Sequence, residues 1–230
     1  MLTVAEEFLL LALDDDTGKK LVDSTRTSAA LAGAALVQLT VEGALRLTER
    51  DDPDHKPGRL VSTGKRATDP RLADLAEVAH GRKPKDAVGK VVGYGKWRSR
   101  AKNLQDALLH DLADGGYLTE DKSKALGLFP VTSWKSANRR AKSEIVQRVA
   151  AAIADTEQPD DRTSALISIL EVVKLLPKLL PEVDKKTLKQ RGKQISEGEW
   201  GGPAVRKAIQ HIQSVNTAII VSTTTAGASS

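Results

Sequence analysis

Apolar residues recur at helical spacing along almost the whole of this chain, from Thr3 to Val221, without a clear linker. The pattern is clearest at residues 96–114, where five residues fall on one face of a helix: Trp97, Ala101, Leu104, Leu108 and Leu112. Aromatic residues make up only 3% of the chain, so the core is aliphatic, which suits helix packing. The sequence therefore predicts a mainly α fold, with a single helical domain over residues 1–221 and a disordered tail over 222–230.

Local signals predict where several elements begin and end. Thr3 and Glu6 have the spacing of a capping box, which predicts a short buried helix at the start of the chain. Thr27 or Ser28 is expected to cap the second helix. Alternating residues predict one or two small β-hairpins, the first from 45–48 and 60–63, the second from 117–119 and 126–129. Later helices are expected at about 134–154, 184–196 and 203–221.

The residues that usually carry enzyme chemistry do not form a recognisable site. The chain has no cysteine, which excludes disulfides, thiolate catalysis and cysteine-based metal sites. Its four histidines lack metal-ligand spacing, and no phosphate-binding glycine loop or nucleophile motif is present. We therefore expect no enzyme activity, no cofactor and no metal. The start of the chain does not resemble a signal peptide and no apolar run is long enough to span a membrane, so we expect a cytoplasmic protein that meets a membrane only from the side.

The positive charge is concentrated in one region. Residues 56–102 contain 13 Lys/Arg and 4 Asp/Glu, a local net charge of +9, whereas the rest of the chain carries −4. Such asymmetry favours a polyanionic partner, whether lipid headgroups, nucleic acid or an acidic protein, although a solvated basic face has the same composition.

Basic and aromatic residues come together at an expected helix start within that region. They are Lys96, Trp97, Arg98, Arg100 and Lys102. Arg98 and Lys102 are four residues apart and so share a helix face, where a phosphate can meet both side chains and the helix N-terminus. Trp97 also fits a position in the core.

Four segments, in this order, resemble the Golgi phosphoprotein 3 family. They are EEFLLLAL at residues 6–13, LAGAALVQL at 31–39, LADGGYL at 112–118 and DRTSAL at 161–166. Each motif is short, but their order and spacing are specific, and the resemblance extends over nearly the whole chain up to Val221.

The resemblance implies a mostly helical, non-catalytic adaptor that is peripheral to membranes. Eukaryotic members bind phosphatidylinositol 4-phosphate and the cytoplasmic tails of Golgi glycosyltransferases. This chain lacks their long N-terminal extension and is similar to the shorter bacterial members. The family uses its second hairpin for self-association and membrane contact, which implies a possible homo-oligomer and a role for Leu126, Leu128 and Phe129, although these residues fit packing against the domain equally well.

The lipid pocket of the family transfers only in part. An ungapped alignment places its tryptophan on Asp23, its glycine-flanked arginine on Ala32, and two helix arginines on Lys102 and Gln105. Only Lys102 keeps the charge, and a carboxylate at position 23 repels a headgroup. We therefore expect weak selectivity among phosphoinositides, with Arg26, Arg98 and Arg100 as substitute cations.

The sequence thus predicts a peripheral membrane adaptor that binds anionic, phosphoinositide-type headgroups on an anionic phospholipid surface. The residues expected to bind are Lys96, Trp97, Arg98, Arg100, Lys102 and Arg26. Cytoplasmic tails of membrane proteins are further expected partners. The alternative is a winged-helix-like nucleic-acid-binding protein that uses residues 56–102. It is disfavoured because the basic residues are scattered and do not lie on one recognition helix.

Overall fold

The computed structural model of the protein describes residues 2–93, 99–125 and 129–198. Within these ranges it contains nine helices and two antiparallel two-stranded sheets. The helices are α1 (Val4–Leu11), α2 (Ser24–Val41), α3 (Pro70–Ala79), α4 (Pro84–Val92), α5 (Arg100–Asp114), α6 (Arg139–Ile153), α7 (Asp161–Val172), α8 (Leu176–Leu179) and α9 (Lys185–Glu197). The strands are β1 (Leu45–Leu47), β2 (Leu60–Ser62), β3 (Leu118–Ala125) and β4 (Phe129–Ser136). The mainly α fold with two small hairpins is confirmed.

Helix α2 lies at the centre of the fold. It contacts α1, α3, α4, α5 and α7, and its residues from Ala29 to Val37 are buried on every side of the helix. A helix that is apolar all round is one that other helices surround. The small residues of its middle turns, such as Ala32 and Gly33, let the neighbouring backbones approach closely.

The start of α2 differs from the sequence prediction. Asp23, not Thr27 or Ser28, is the N-cap, and its carboxylate accepts a hydrogen bond of 2.9 Å from the Arg26 backbone N–H. Thr27 is buried within the first turn, where its hydroxyl donates to the Asp23 carbonyl oxygen at 2.9 Å. The first turn carries polar residues, so it has no apolar periodicity that would reveal it in the sequence.

The second hairpin is longer than predicted, and its second strand includes residues that the sequence assigns to the following helix. β3 and β4 pair over eight residues each, from Leu118 opposite Ser136 to Ala125 opposite Phe129. Trp134 therefore belongs to a strand, and the prediction of a helix from about residue 134 is wrong at that end. Helix α6 begins only at Arg139. Asn138 is its N-cap, and the Asn138 side-chain oxygen accepts a hydrogen bond from the Ala141 backbone N–H at 3.0 Å.

A loop between α1 and α2 holds this hairpin against the helices. The Ser136 backbone N–H donates to the Asp15 carbonyl oxygen at 3.2 Å. Gly18 has a φ of +63°, and a Cβ there would lie 2.6 Å from the Trp134 backbone nitrogen. Lys142 on α6 reaches the same loop, where its ammonium donates to Leu13 O at 2.5 Å and Asp15 at 2.7 Å. The loop is thus fixed by both the hairpin and α6.

Two predictions fall on residues outside the described ranges, namely the last helix at 203–221 and the tail at 222–230. The prediction of a single domain over 1–221 accordingly stays a prediction. Among the helices of the described ranges, none combines the length and the apolar character that crossing a bilayer requires.

Candidate anion-binding surface

The structure places three of the six predicted headgroup-binding residues. Arg26, Arg100 and Lys102 are described, whereas Lys96, Trp97 and Arg98 lie outside the described residues. Of the hairpin residues, Leu126 and Leu128 also lie outside them. Phe129 opens β4, where its backbone pairs with Ala125.

Lys102 lies on the exposed side of the first turn of α5. Ser99 caps this helix by accepting a hydrogen bond from the Lys102 backbone N–H at 3.2 Å, and its own hydroxyl donates to Val92 O at 2.6 Å. These bonds fix the start of α5 against the end of α4. The Lys102 side chain is 67% exposed, and its ammonium lies 3.1 Å from the Asp106 carboxylate one turn further along.

Lys20 joins Lys102 on this surface, although the sequence did not indicate it. Its backbone bridges to Leu13 at the end of the loop that packs on the hairpin. The pKa of Lys20 is lowered because its ammonium is partly desolvated and because the positive charge of Lys102 is near, while Asp106 acts in the opposite direction. Only tertiary packing places these two lysines together, so no local pattern could reveal the pair.

The outer face of α5 continues past this pair toward the hairpin. His110 lies one turn beyond Asp106 and its Nδ1 is 2.7 Å from the Asp106 carbonyl oxygen. The His110 ring meets the Trp134 ring edge to face, with centroids 5.1 Å apart. Lys102, Asp106 and His110 therefore follow one another at four-residue spacing along a single helix face. We call Lys20 and Lys102 the lysine pair, and Asp106 is the carboxylate beside it.

The other two described cations, Arg100 and Arg26, lie away from the lysine pair. Arg100 lines a hollow of about 250 Å³ together with Arg71 and Asp74 of α3, because residues two apart on a helix point to different sides. The Nε of Arg26 lies 3.3 Å from its helix cap, Asp23. The structure thus brings Lys20 to Lys102 and directs Arg100 toward α3.

Several cations of the basic region 56–102 bind groups of the protein itself. Arg59 donates to Gly81 O at 3.0 Å, and Arg82 donates to Val78 O at 2.6 Å. Arg71 pairs with Asp69 at 2.7 Å and also with Asp111. These three arginines stabilise the connections around α3, so within the described part of residues 56–102 they do not add to a free basic face.

The positions that correspond to the family pocket are occupied by side chains of other kinds. Ala32 is fully buried in α2, and Gln105 on α5 is only 5% exposed. Asp23 is the helix cap described above. Of the four aligned positions, only Lys102 presents a cation to solvent.

The chemistry of this surface is that of anion binding. The Lys102 ammonium is paired with Asp106, the Lys20 ammonium is within electrostatic range of both, and the two positive charges together attract a phosphate group. In the described part of the chain, no group of three or more His, Cys, Asp or Glu side chains is arranged to hold a metal ion.

The comparison with protein families gives one result. The family model described as Golgi phosphoprotein 3 (GPP34) matches residues 4–212 of the chain. The matched range begins with α1, includes every helix and strand described above, and contains both Lys20 and Lys102. No curated protein matches the chain.

Proposed function

Because the chain belongs to the Golgi phosphoprotein 3 family, we propose that it is a peripheral membrane protein that binds anionic lipid headgroups and acts as a non-catalytic adaptor. The observation that carries this proposal is the proximity of Lys20 and Lys102 at the exposed end of α5. We propose that this pair contacts phosphate groups at the surface of a phospholipid membrane.

The lowered pKa of Lys20 supports the proposal on electrostatic grounds. Desolvation of the Lys20 ammonium lowers its pKa most, repulsion from Lys102 lowers it further, and the Asp106 carboxylate, 3.1 Å from Lys102, offsets only part of that repulsion. A bound phosphate would remove the rest, so its binding is favoured by the charges already present. The same reasoning predicts that a bound anion raises the pKa of Lys20.

The remaining residues of the proposal lie around this pair in the sequence. Lys96, Trp97 and Arg98 immediately precede Ser99, the cap of α5. We propose that they extend the contact with the membrane, with Trp97 at the level of the headgroups and the two cations beside it. Arg100 and Arg26 are proposed as outer contacts that act through long-range attraction.

The adaptor role requires a second partner. We propose that cytoplasmic tails of membrane proteins bind to the protein once it is at the membrane surface. The hairpin residues Leu126, Leu128 and Phe129 are proposed to contact the membrane or a second copy of the chain. Both functions place the protein on the cytoplasmic side of a membrane.

Vesicle co-sedimentation tests the headgroup contact. The full chain is mixed with vesicles that contain phosphatidylserine and with vesicles of phosphatidylcholine alone. We expect binding to the anionic vesicles only, and weaker binding as salt is added. Because a basic residue near an anionic surface contributes about 1 kcal/mol, Lys102→Ala and Lys20→Ala should each reduce the partition coefficient about fivefold. Asp106→Asn should increase it.

Lys193→Ala is the matched control. Lys193 is also 67% exposed and also has a carboxylate one turn further along its helix, Glu197 at 3.8 Å. Its replacement removes the same charge from α9 and should leave vesicle binding within about twofold if local charge, and not net charge, decides. Equal losses for Lys193→Ala and Lys102→Ala would remove the lysine pair from the proposal.

Headgroup selectivity is a separate question for the same assay. Vesicles that carry phosphatidylinositol 4-phosphate are compared with phosphatidylserine vesicles of equal surface charge. We expect similar binding, because Ala32 and Gln105 supply no cations at the aligned pocket positions. A strong preference for phosphatidylinositol 4-phosphate that Lys102→Ala abolishes would contradict this expectation.

A further inference from the structure

An open groove of about 720 Å³ lies between α1, α2 and α7, apart from the lysine pair. Its lining includes five apolar side chains: Leu2, Val4, Val37, Val41 and Ala165. Of these, Val4, Val37 and Ala165 are already buried, and Val41, 45% exposed, is the only large apolar residue of the exposed class in the described part of the chain. Covering this groove would remove apolar surface from water, which is favourable.

The groove carries an excess of negative charge. Three carboxylates line it, from Glu42, Asp160 and Asp161, against one cation, Arg162. Arg162 is already paired with Glu7 at 2.7 Å. An occupant with an apolar face and positive charge at one end therefore fits this groove better than an acidic one.

The chain leaves α9 close to the groove. Gly198, the residue after α9, lines a neighbouring hollow together with Pro159 and Ser164. The groove is lined by Asp160, which directly follows Pro159, and by Ala165, which directly follows Ser164. The hollow and the groove thus flank the first turn of α7 on two sides.

The distance between them is one that the following residues can span. A helix with its side chains is about 10–12 Å wide. The five Cα–Cα steps from Gly198 to residue 203 extend over as much as about 18 Å. The chain can therefore cross the first turn of α7 and enter the groove at residue 203.

The sequence that follows has the required character. Residues 203–221 place six apolar residues at helical spacing: Val205, Ala208, Ile209, Ile212, Val215 and Ile219. Arg206 and Lys207 give the segment a net charge of +2 near its start, which is the end that enters beside Asp160 and Asp161. The pattern predicts an amphipathic helix of about 28 Å.

We propose that residues 203–221 form an amphipathic helix that binds in the groove between α1, α2 and α7 of the same chain. Its apolar face covers Val41 and the other apolar residues of the groove, and Arg206 and Lys207 face the carboxylates at the start of α7. This proposal does not depend on membrane binding, because it concerns a different surface and different residues.

Cysteine cross-linking tests the proposal directly, since the natural chain has no cysteine. Val41→Cys or Thr68→Cys, both at exposed groove positions, is combined with one cysteine in the segment. The segment cysteines are placed on the apolar face, at positions 205, 209, 212, 215 and 219, or on the polar face, at positions 206, 210, 213 and 217. Mild oxidation is followed by non-reducing electrophoresis and mass spectrometry.

For each anchor we expect an intramolecular disulfide from the one or two apolar-face positions that lie opposite it, and none from the polar-face positions, because a disulfide needs Cα atoms within about 7 Å. Thr119→Cys, an exposed position on β3 outside the groove, is the control anchor and should give none. Equal cross-linking from both faces, or no cross-linking from either anchor, would overturn the proposal. Cross-linked dimers that increase with protein concentration would also overturn it, and would assign the groove to a second copy of the chain.

Discussion

Glu7 is a carboxylate buried at the meeting point of three helices. It lies on α1 with its side chain 3% exposed, between Arg148 of α6 at 2.8 Å and Arg162 of α7 at 2.7 Å. A buried charge is tolerated only when it is paired and hydrogen-bonded. Each arginine guanidinium therefore fixes the position of its helix relative to α1, and the contact is lost if the carboxylate is neutralised.

Glu7→Gln should consequently destabilise the protein. The amide keeps the size of the side chain but leaves two guanidinium groups without their anion. Since both arginines are partly exposed, we expect a loss of about 2–3 kcal/mol in the free energy of unfolding, below the full cost of breaking a completely buried pair. Urea unfolding measures this free energy.

Glu144→Gln provides the comparison at this scale. It breaks an ion pair of 2.9 Å with Arg140 in which the two side chains are 61% and 89% exposed. Exposed pairs of this kind contribute about 0.5 kcal/mol or less. If the two substitutions cost the same, Glu7 does not have the organising role described here.

Gly18 connects two elements, the loop after α1 and strand β4. Its φ of +63° disfavours any other residue, and a Cβ would also meet the Trp134 backbone at 2.6 Å. Backbone strain and steric overlap act together, so Gly18→Ala should cost about 2–4 kcal/mol and displace the hairpin from the loop. Thermal unfolding gives the cost, and amide hydrogen exchange at Trp134 and Ser136 reports on the displacement.

Gly116→Ala separates the two contributions. Gly116 has a φ of +73°, but a Cβ there would have no atom within 4 Å. Its substitution should cost only the backbone strain, about 1 kcal/mol. A Gly18→Ala variant no less stable than Gly116→Ala would show that the loop and β4 move apart without cost.

Elements whose signals are local could be predicted from the sequence. The capping box of Thr3 and Glu6 and the apolar stripe of α5 each lie within a few turns, and both are found in the structure. The predicted cap of α2 is wrong because Asp23, Thr27 and Ser28 are all favourable N-cap residues in isolation, and the packing of α2 decides between them. The lysine pair could not be predicted, since Lys20 reaches Lys102 through the folding of a loop onto the hairpin.

The described part of the molecule has one contiguous core. Buried apolar residues connect without interruption from Val4 in α1 to Ile195 in α9, and α2 and α7 both contact α1. A core that is shared in this way predicts that the helices and hairpins unfold together. It also bears on the prediction of a single domain, because two independent domains would unfold in separate steps.

Two core substitutions at distant elements test this prediction in the full chain. Leu45→Ala empties a position in β1, and Leu166→Ala empties one in α7; the side chains are 1% and 0% exposed. Each should cost about 2–5 kcal/mol. Because the core is shared, each variant should shift the urea midpoint equally whether unfolding is followed by far-UV circular dichroism or by tryptophan fluorescence. A variant in which one probe shifts while the other keeps its midpoint would indicate two cooperative units, and the boundary between them would lie between β1 and α7.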